Sequence, residues 1–451
     1  MAVGEEKKRK KNQTAETPDK KTLWVITELY YPENNQTGYY MTGIAEGLAD
    51  DFDVKVICGQ PNYAARGTLA PKKEIYKNVE IRRVWGTTLD KNVLLYRLIN
   101  MATLGMSIFL KTLTGIKKND AVLVVSAPPT LPFITAGAAL IRRSKYTLII
   151  QDKYPETLTA VGKIKENSNF VKVLDWLNRR LYGNAEKIIV VGRDMRELIE
   201  AQLNQTEQTS QTKNTKNNGK SDKKIPIDVI QNWASLEEIK PLPRSENKLL
   251  RELNLIDKFV FLYAGNMGYP QDIESIVACA EKLKADKRFH FLFIGSGVKR
   301  RWLLEKAETG KLENVTILPP RPRSEQNLFL NACDVGFVSL VKKMRGVAMP
   351  SRTYNLMAAA KPILALTEKN SEVARVLEEH NVGWYVEPNE PERLLEMIYK
   401  IYAERAKIPA MQKKSRQTAL EEYSVEKAIE KYKKSLADAS DNDLANITSE
   451  F

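Results

Sequence analysis

The stretch that decides the fold reads Phe-Val-Phe-Leu-Tyr-Ala-Gly-Asn-Met-Gly at 259–268 and, after a helical segment, Phe-His-Phe-Leu-Phe-Ile-Gly-Ser-Gly at 289–297. Both apolar runs end in closely spaced glycines, and an amphipathic helical segment follows each of them. This alternation predicts a doubly wound α/β domain whose ligands bind at the carboxyl ends of the strands. Because glycine lets a backbone approach a phosphate closely, the turns predict a nucleotide-diphosphate site; the alternative is two tight strand-to-helix turns.

A second motif downstream supplies a fixed positive charge. It reads Met-Pro-Ser-Arg-Thr-Tyr-Asn-Leu-Met-Ala-Ala-Ala-Lys-Pro at 349–362. Pro350 fits the start of a helix, so the N–H groups of 351–353 are predicted to face an anion. Arg352 would then add a bidentate cation for a diphosphate. The alternative is a surface arginine beside a buried, alanine-rich helix.

The length of the chain predicts two domains, because 451 residues exceed what one hydrophobic core usually supports. Alternating strand-like and helical segments predict two Rossmann-like parallel-sheet domains that face each other across a cleft. The predicted division is a disordered basic arm at 1–21, an N-terminal domain at 22–235 with a polar low-complexity insertion at 205–224, a C-terminal domain at 236–420, and a helix with a polar tail at 421–451.

The net charge of +14 is compatible with solubility, with nucleic-acid binding, or with an anionic membrane surface and anionic substrates. No zinc-finger, helix-turn-helix or RNA-recognition signature accompanies the charge, so nucleic acid is the least favoured partner. The segment 94–113 is apolar with basic residues at its margins. It predicts either a packed domain helix or a helix that faces a membrane surface.

Several classes of site are disfavoured by the motifs. The turn at 295–297 lacks the third glycine of a nicotinamide fingerprint, and no Walker-type phosphate loop occurs. Cys58, Cys279 and Cys333 lie far apart, which favours a reducing compartment and predicts no metal framework. The two histidines, His290 and His380, are predicted to be structural, which argues against histidine-based catalysis.

Asp152 follows a strand-like run and is predicted to project into the cleft, where it would orient an acceptor hydroxyl. The alternative is an aspartate that caps the turn ahead of Pro155.

Taken as a set, the motifs resemble family 4 glycosyltransferases of the GT-B fold, and in particular the branch typified by colanic-acid-type and O-antigen transferases. The likeness spans about 22–430. It rests on Tyr-Ala-Gly-Asn-Met-Gly at 263–268, Pro-Ser-Arg-x-Tyr-Asn-x-Met-Ala-Ala-x-Lys-Pro at 350–362, Tyr-Pro-Glu at 31–33, Gln-Asp-Lys-Tyr-Pro-Glu at 151–156 and Asn-Trp-Ala at 232–234.

The resemblance implies a retaining transferase of hexosyl or N-acetylhexosaminyl type that needs no essential metal and no other cofactor. The C-terminal domain would bind a nucleotide-sugar donor and the N-terminal domain the acceptor. The implied donor-binding residues are Gly265, Asn266, Met267, Gly268, Gly295, Gly297, Ser351, Arg352 and Asn355. Arg352 and Asp152 are the implied catalytic residues, and Glu33, Gly38 and Asp152 are expected on the acceptor side.

The resemblance also implies the setting in which the protein works. Its expected partners are a nucleotide-sugar, a glycan or polyprenyl-diphosphate-linked acceptor, and an anionic membrane surface. The expected location is the cytoplasmic side, peripheral at the inner face of the membrane, in cell-surface polysaccharide biosynthesis.

The chain departs from the family pattern at one pair of positions. Val347 and Asn355 stand where many members have the two glutamates of an E-x7-E pair. This departure keeps open a catalytically silent sugar-nucleotide or polysaccharide-binding protein. A GT-B sugar-nucleotide epimerase is a further alternative, which the near absence of histidine disfavours.

Overall fold

The protein folds into two α/β domains in a computed structural model that describes residues 20–33, 35–61, 69–90, 93–211 and 224–447. Nearly all of the predicted basic arm, 1–19, and most of the predicted insertion, 212–223, lie outside the described residues. The backbone of 205–211, at the start of the predicted insertion, continues a helix that begins at Arg193.

The N-terminal domain is built on an eight-stranded sheet. Its strand order is β3-β4-β2-β1-β5-β6-β7-β8, and only the β3–β4 pair is antiparallel. Strand β3 lies at the sheet edge with half-exposed side chains, so the sequence shows no buried apolar run there. The strands are β1 (Thr22–Ile26), β2 (Asp53–Cys58), β3 (Lys73–Tyr76), β4 (Val79–Arg83), β5 (Ala121–Val125), β6 (Lys145–Ile150), β7 (Lys187–Val190) and β8 (Ile227–Val229).

The C-terminal domain is built on a six-stranded, wholly parallel sheet. Its strand order is β11-β10-β9-β12-β13-β14. Successive strands are added on one side of β9 up to β11 and on its other side from β12 onward, and ligand crevices form at such switch points. Both faces are covered, so its strands are continuous apolar runs. The strands are β9 (Phe259–Ala264), β10 (Phe289–Ile294), β11 (Val315–Leu318), β12 (Val335–Ser339), β13 (Ile363–Leu366) and β14 (Gly383–Val386).

Helices cover both sheets, and several begin at side chains that cap the first backbone N–H groups. Asn35, Ser168, Asp272 and Ser371 each accept a hydrogen bond from the third residue beyond them. The Asn35 cap accounts for the start of the first helix at Gln36.

The helices of the N-terminal domain are α1 (Gln36–Leu48), α2 (Leu94–Gly115), α3 (Leu131–Ile141), α4 (Glu156–Ala160), α5 (Asn169–Gly183) and α6 (Arg193–Gln211). Those that follow are α7 (Lys248–Glu252), α8 (Ile273–Lys282), α9 (Arg300–Thr309), α10 (Gln326–Leu330), α11 (Arg352–Ala358), α12 (Glu372–His380), α13 (Pro391–Ala403), α14 (Ile408–Glu422) and α15 (Val425–Ile447). Helices α2, α3, α5 and α6 contact one another in that order and form one layer over the N-terminal sheet.

The last helix returns to the first domain. Helix α15 packs on α1, where a Cβ on Gly47 would lie only 2.6 Å from Ile429 Cγ1. Lys187 donates a hydrogen bond of 2.6 Å to the backbone oxygen of Ser435. The C-terminal segment thus ties the two domains together.

Candidate functional site

A cavity of about 620 Å³ lies between the two domains, outside the carboxyl ends of both sheets. Segments after β9, β10 and β11 and the motif before α11 line one side of it. The start of α1 and the turn after β6 line the other side. The predicted cleft is therefore present, and the principal residues around it are Gln36, Thr37, Tyr40, Asp152, Gly265, Asn266, Gly295, Ser296, Arg321, Arg323, Ser351, Arg352 and Asn355.

The turns after β9 and β10 pack directly against each other. Gly265 has a φ of +141° and Gly295 a φ of +148°, backbone angles that residues with a side chain rarely adopt. A Cβ on Gly295 would lie 2.0 Å from the Gly265 backbone oxygen, so no side chain fits there. The Met267 N–H donates to the Ser296 oxygen at 2.7 Å and closes the contact. Glycine is required at both turns, and the two bare backbones form one wall of the cavity.

Arg352 lies against this wall. Its guanidinium carbon is 4.3 Å from the centre of the Tyr263 ring, and a Cβ on Gly265 would come within 2.7 Å of its Nη2. Its Nη1 is buried and has no hydrogen-bond acceptor among the described residues. A buried donor of this kind costs free energy unless a ligand satisfies it. The arrangement matches an oxyanion that enters the cavity.

The motif around Arg352 differs in one detail from the prediction. The Thr353 N–H donates to the Pro350 oxygen at 3.2 Å, so it does not face an anion. The tight turn that precedes the seven-residue helix α11 uses this donor. Ser351 and Asn355 both line the cavity.

Three of the predicted donor-side residues do not line the cavity. The side chain of Met267 is fully buried in the core of the C-terminal domain. The Gly268 N–H is taken by the side-chain oxygen of Gln271 at 2.9 Å. Gly297, with φ +134°, packs on the backbone of Met267. These residues shape the turn from behind, because only the first residues after each strand reach the switch-point crevice.

Asp152 enters the cavity from the N-terminal domain. It forms an antiparallel bridge with Ala348, and the next N–H, that of Lys153, donates to the Val347 oxygen at 2.9 Å. The Asp152 carboxyl is open to the cleft but has protein on both sides. This desolvation raises its pKa to about 6. Asp152 is thus brought next to the motif that carries Arg352, as the prediction of a cleft position requires.

The other two predicted acceptor-side residues lie away from the cavity. Glu33 is buried behind it, and Gly38 sits in the first turn of α1, where its N–H is capped by Asn35. A Cβ on Gly38 would lie 2.6 Å from the Glu33 oxygen, which explains the glycine as a packing requirement. The cavity is lined instead by Gln36 and Thr37, which the Asn35 cap in the sequence would have indicated.

The position of the first missing glutamate has a structural explanation. Val347 is buried in a small apolar cluster with Leu340 and Met344. A glutamate there would place an unpaired carboxylate among apolar side chains, which is costly. Next to Val347, Ala348 pairs with Asp152 of the N-terminal domain, which carries a carboxylate.

An ionic interface beside the cavity holds the two domains together. The Asp194 carboxylate accepts hydrogen bonds of 2.9 Å from the N–H groups of both Gly346 and Glu372. Arg193 pairs with Glu372 at 3.0 Å and with Glu379 at 2.7 Å. These bonds fix the segment that leads into Pro350 and hence the position of Arg352.

Other titratable groups have structural surroundings. His290 lies on β10 with its Nε2 2.8 Å from Thr316 Oγ1, and burial lowers its pKa to about 4. Burial raises the pKa of the thiols of Cys58, Cys279 and Cys333 to about 12. Within the described ranges there is no group of three or more metal-ligating side chains.

Comparisons with known proteins support the fold and show which proteins the chain is similar to. Residues 258–404 match the family model described as glycosyl transferases group 1, and they include the glycine turns and Arg352. The chain has the two-domain GT-B fold, as predicted from its motifs, and its C-terminal domain is similar to group 1 glycosyl transferases.

Two relatives match most of the chain. A probable glycosyltransferase, WbjE, of Pseudomonas aeruginosa is 28% identical over 84% of this chain and 89% of its own length. A putative colanic acid biosynthesis glycosyl transferase, WcaI, of Escherichia coli K12 is 22% identical over 81% of this chain and 88% of its own length.

Solved structures share the fold over nearly the whole chain. Sucrose-phosphate synthase of Thermosynechococcus elongatus has a TM-score of 0.68 at 14% identity and covers 93% of this chain and 99% of its own. Anabaena HepE, solved in complex with UDP-glucose, has a TM-score of 0.64 at 14% identity and covers 93% of this chain and all of its own.

Proposed function

We propose that this protein is a retaining glycosyltransferase that moves a sugar from a nucleotide-diphosphate sugar to a glycan or lipid-linked acceptor. The setting proposed is cell-surface polysaccharide biosynthesis, at the cytoplasmic face of a membrane. The observation that carries the proposal is the unsatisfied Arg352 Nη1 at the wall of the interdomain cavity. The family of the C-terminal domain and the name of the colanic acid relative support the setting.

The donor diphosphate is proposed to lie against the turns at Gly265 and Gly295, with Arg352 compensating its charge. The sugar C1–oxygen bond to the diphosphate breaks while the acceptor oxygen bonds to C1 on the same face. The acceptor proton passes to the departing phosphate oxygen, so no strong side-chain base is needed. The protein supplies charge stabilisation and alignment, which are effective in a preorganised site.

Asp152 is proposed to orient the acceptor hydroxyl. It faces the cavity from the acceptor domain, and its bridge to Ala348 fixes the distance between that domain and the Arg352 motif. A carboxylate accepts a hydrogen bond from a hydroxyl and so selects one lone pair for attack.

The nucleobase is proposed to lie beside the segment after β11. Pro320, Arg321 and Arg323 line this end of the cavity, and Arg323 also stacks over the Tyr39 ring at 3.7 Å. HepE, which shares the fold, was solved with UDP-glucose, and this supports a nucleotide-sugar as the donor.

The outer surface of the α2–α3–α5 layer is proposed to rest on an anionic membrane. Along the described residues no helix has the length and apolar character needed to cross a bilayer. The layer nevertheless exposes large apolar side chains, and basic residues lie among them. The apolar set is Leu95, Leu98, Met106, Leu110, Leu140, Ile141, Phe170, Val173 and Trp176, and the basic set includes Arg142, Arg143 and Lys172. Apolar and basic groups together favour peripheral attachment to anionic lipid.

One observation favours a second candidate, a silent sugar-nucleotide-binding protein. Val347, at a position where many family members have a glutamate, is buried in an apolar cluster and supplies no carboxylate. Such a protein would bind the donor through Arg352 without turning it over.

The proposal is tested with a panel of UDP-, GDP- and ADP-sugars. Thermal shift identifies the donor. A sugar nucleotide that binds the folded protein raises the melting temperature of the protein in proportion to the logarithm of ligand excess. Proton NMR of the product then reads the anomeric configuration. Retention with the identified donor supports the proposal, and an inverted product or the absence of stabilisation by every donor contradicts it.

A further inference from the structure

A second cavity, of about 160 Å³, lies at the switch point of the N-terminal sheet. The strand order reverses between β1 and β5, and the cavity opens beyond the carboxyl ends of β1, β2, β4 and β5. It is distinct from the donor cavity, and helix α2 forms its roof. Its apolar lining consists of Met101, Leu104, Ile108, Pro128, Pro129, Leu131 and Ile134.

Helix α2 is apolar on two opposite faces. Met101, Leu104 and Ile108 face the cavity, whereas Leu98 and Met106 point outward and are 53% and 60% exposed. A helix that packs only against its own domain needs one apolar stripe. Because of the second stripe, the outer face of α2 is compatible with lipid, and its inner face lines an apolar chamber.

The chamber is held open by hydrogen bonds between α2 and the segment after β4. The Asn100 side-chain oxygen accepts from Thr87 Oγ1 at 2.8 Å and from the Leu89 N–H at 3.0 Å. The Thr103 hydroxyl accepts from the Thr87 N–H at 3.1 Å. These bonds fix the rim, so the chamber exists before a ligand arrives, which lowers the entropic cost of binding.

The glycines of this chamber do not form a phosphate turn. Gly59 and Gly86 lack the left-handed φ of the donor-side glycines, and a Cβ on either would press on Leu104 at 3.3 Å or 3.1 Å. They make room for an apolar side chain. The charged lining residues are Glu28, whose backbone oxygen accepts from the Gly59 N–H, and Arg97, which is exposed on α2.

We propose that this chamber holds the phosphate-proximal part of the hydrocarbon chain of a lipid-linked phosphate acceptor, with Arg97 facing the phosphate. This inference rests on the proposed function and adds to it the lipid subsite. An apolar chamber selects a hydrocarbon, the exposed cation at its mouth selects an anionic head, and the outward stripe of α2 places that mouth at a lipid surface.

The test measures binding of farnesyl phosphate to the full-length protein by calorimetry, below the concentration at which farnesyl phosphate forms micelles. No donor is present. Met101→Trp fills the chamber, and Met106→Trp makes the same change on the outward face of the same helix. We expect Met101→Trp to weaken binding about tenfold or more and Met106→Trp to leave it within about twofold. Equal effects of the two changes would mean adsorption to the surface and would overturn the proposal.

A chain-length series on the unmodified protein keeps the test independent of how the variant folds. Affinity is expected to rise from inorganic phosphate through isopentenyl phosphate to farnesyl phosphate. An affinity that does not depend on chain length would overturn the proposal. Nucleotide binding, measured separately, reports on the donor site. If the unmodified protein binds farnesyl phosphate but no nucleotide, the proposed transferase is contradicted. The assignment of the chamber to a hydrocarbon chain is then unaffected.

Discussion

The guanidinium of Arg352 lies 4.3 Å from the centre of the Tyr263 ring, and the Tyr263 hydroxyl donates to the Asn266 backbone oxygen at 2.6 Å. The ring is therefore anchored to the turn that follows β9. Through this contact the strand end positions the cation of a motif nearly ninety residues further along the chain. A cation held in place before binding loses little side-chain entropy when an anion arrives.

Arg352→Ala is expected to weaken binding of the donor diphosphate by about 1.5–3 kcal/mol, the range for a hydrogen bond to a charged group. The fold is expected to survive because Arg352 lies at the cavity wall. Calorimetry with the nucleotide measures the loss. Arg301→Ala, a change at an arginine that is 91% exposed on α9, is the matched control and should have no effect. Equal affinity of Arg352→Ala and the unmodified protein would remove Arg352 from the site.

Gly265→Ala is expected to reduce nucleotide affinity by displacing Arg352. Its φ of +141° is strained for alanine, and the added Cβ would lie 2.7 Å from Arg352 Nη2. Gly183→Ala is the control, because no atom lies within 4 Å of the Cβ position in α5. We expect this control to keep nucleotide affinity and to gain up to about 1 kcal/mol of folding stability. Unchanged affinity in Gly265→Ala would show that the turn tolerates a side chain.

Transfer activity is expected to fall as pH drops through about 6, because the carboxylate form of Asp152 is the one that accepts the hydroxyl hydrogen bond. Its pKa is raised, so the active form is present above this pH and is lost below it. Asp152→Asn should lower activity and abolish this limb of the pH profile while nucleotide affinity stays the same. A profile with the same acid limb in Asp152→Asn would assign the limb to another group.

Association with anionic vesicles is expected at low salt and should weaken as salt increases. Each basic residue near the surface contributes about 1 kcal/mol, and the attraction is screened over about 10 Å at 0.1 M salt. Exchanging Leu98 and Leu110 for serine should lower the salt-resistant part, because both side chains point outward from α2. Leu420→Ser, at an exposed leucine of α14, is the control. Flotation without association at low salt would favour a soluble acceptor.

The sequence places Leu98 and Leu110 in one apolar segment but does not show that both point outward. Within the apolar segment 94–113 the sequence does not distinguish the core face from the outer face, because both are apolar. Phe109, for example, faces α3 and lies 4.0 Å from the Cβ position of Gly137. The sequence also does not show that apolar residues of α5 are exposed, because their spacing is that of an ordinary amphipathic helix.

The sheets and the donor motifs were predictable for a physical reason. Fully buried parallel strands are continuous apolar runs, and their glycine-bearing turns are local in sequence. The acceptor side depends on contacts between distant segments. The bridge between Asp152 and Ala348 joins residues almost two hundred positions apart, and the sequence does not show it. For the same reason Glu33 and Gly38 were predicted on the acceptor side although they pack behind the cavity wall.

Sugar transfer is tested by incubating the protein with a labelled nucleotide-sugar, at a concentration at which thermal shift shows saturation, and with a lipid-linked acceptor fraction. We expect release of the nucleoside diphosphate together with labelled sugar on the acceptor, both lost in Arg352→Ala. Saturated binding without transfer or hydrolysis would contradict a glycosyltransferase and identify a silent nucleotide-sugar-binding protein.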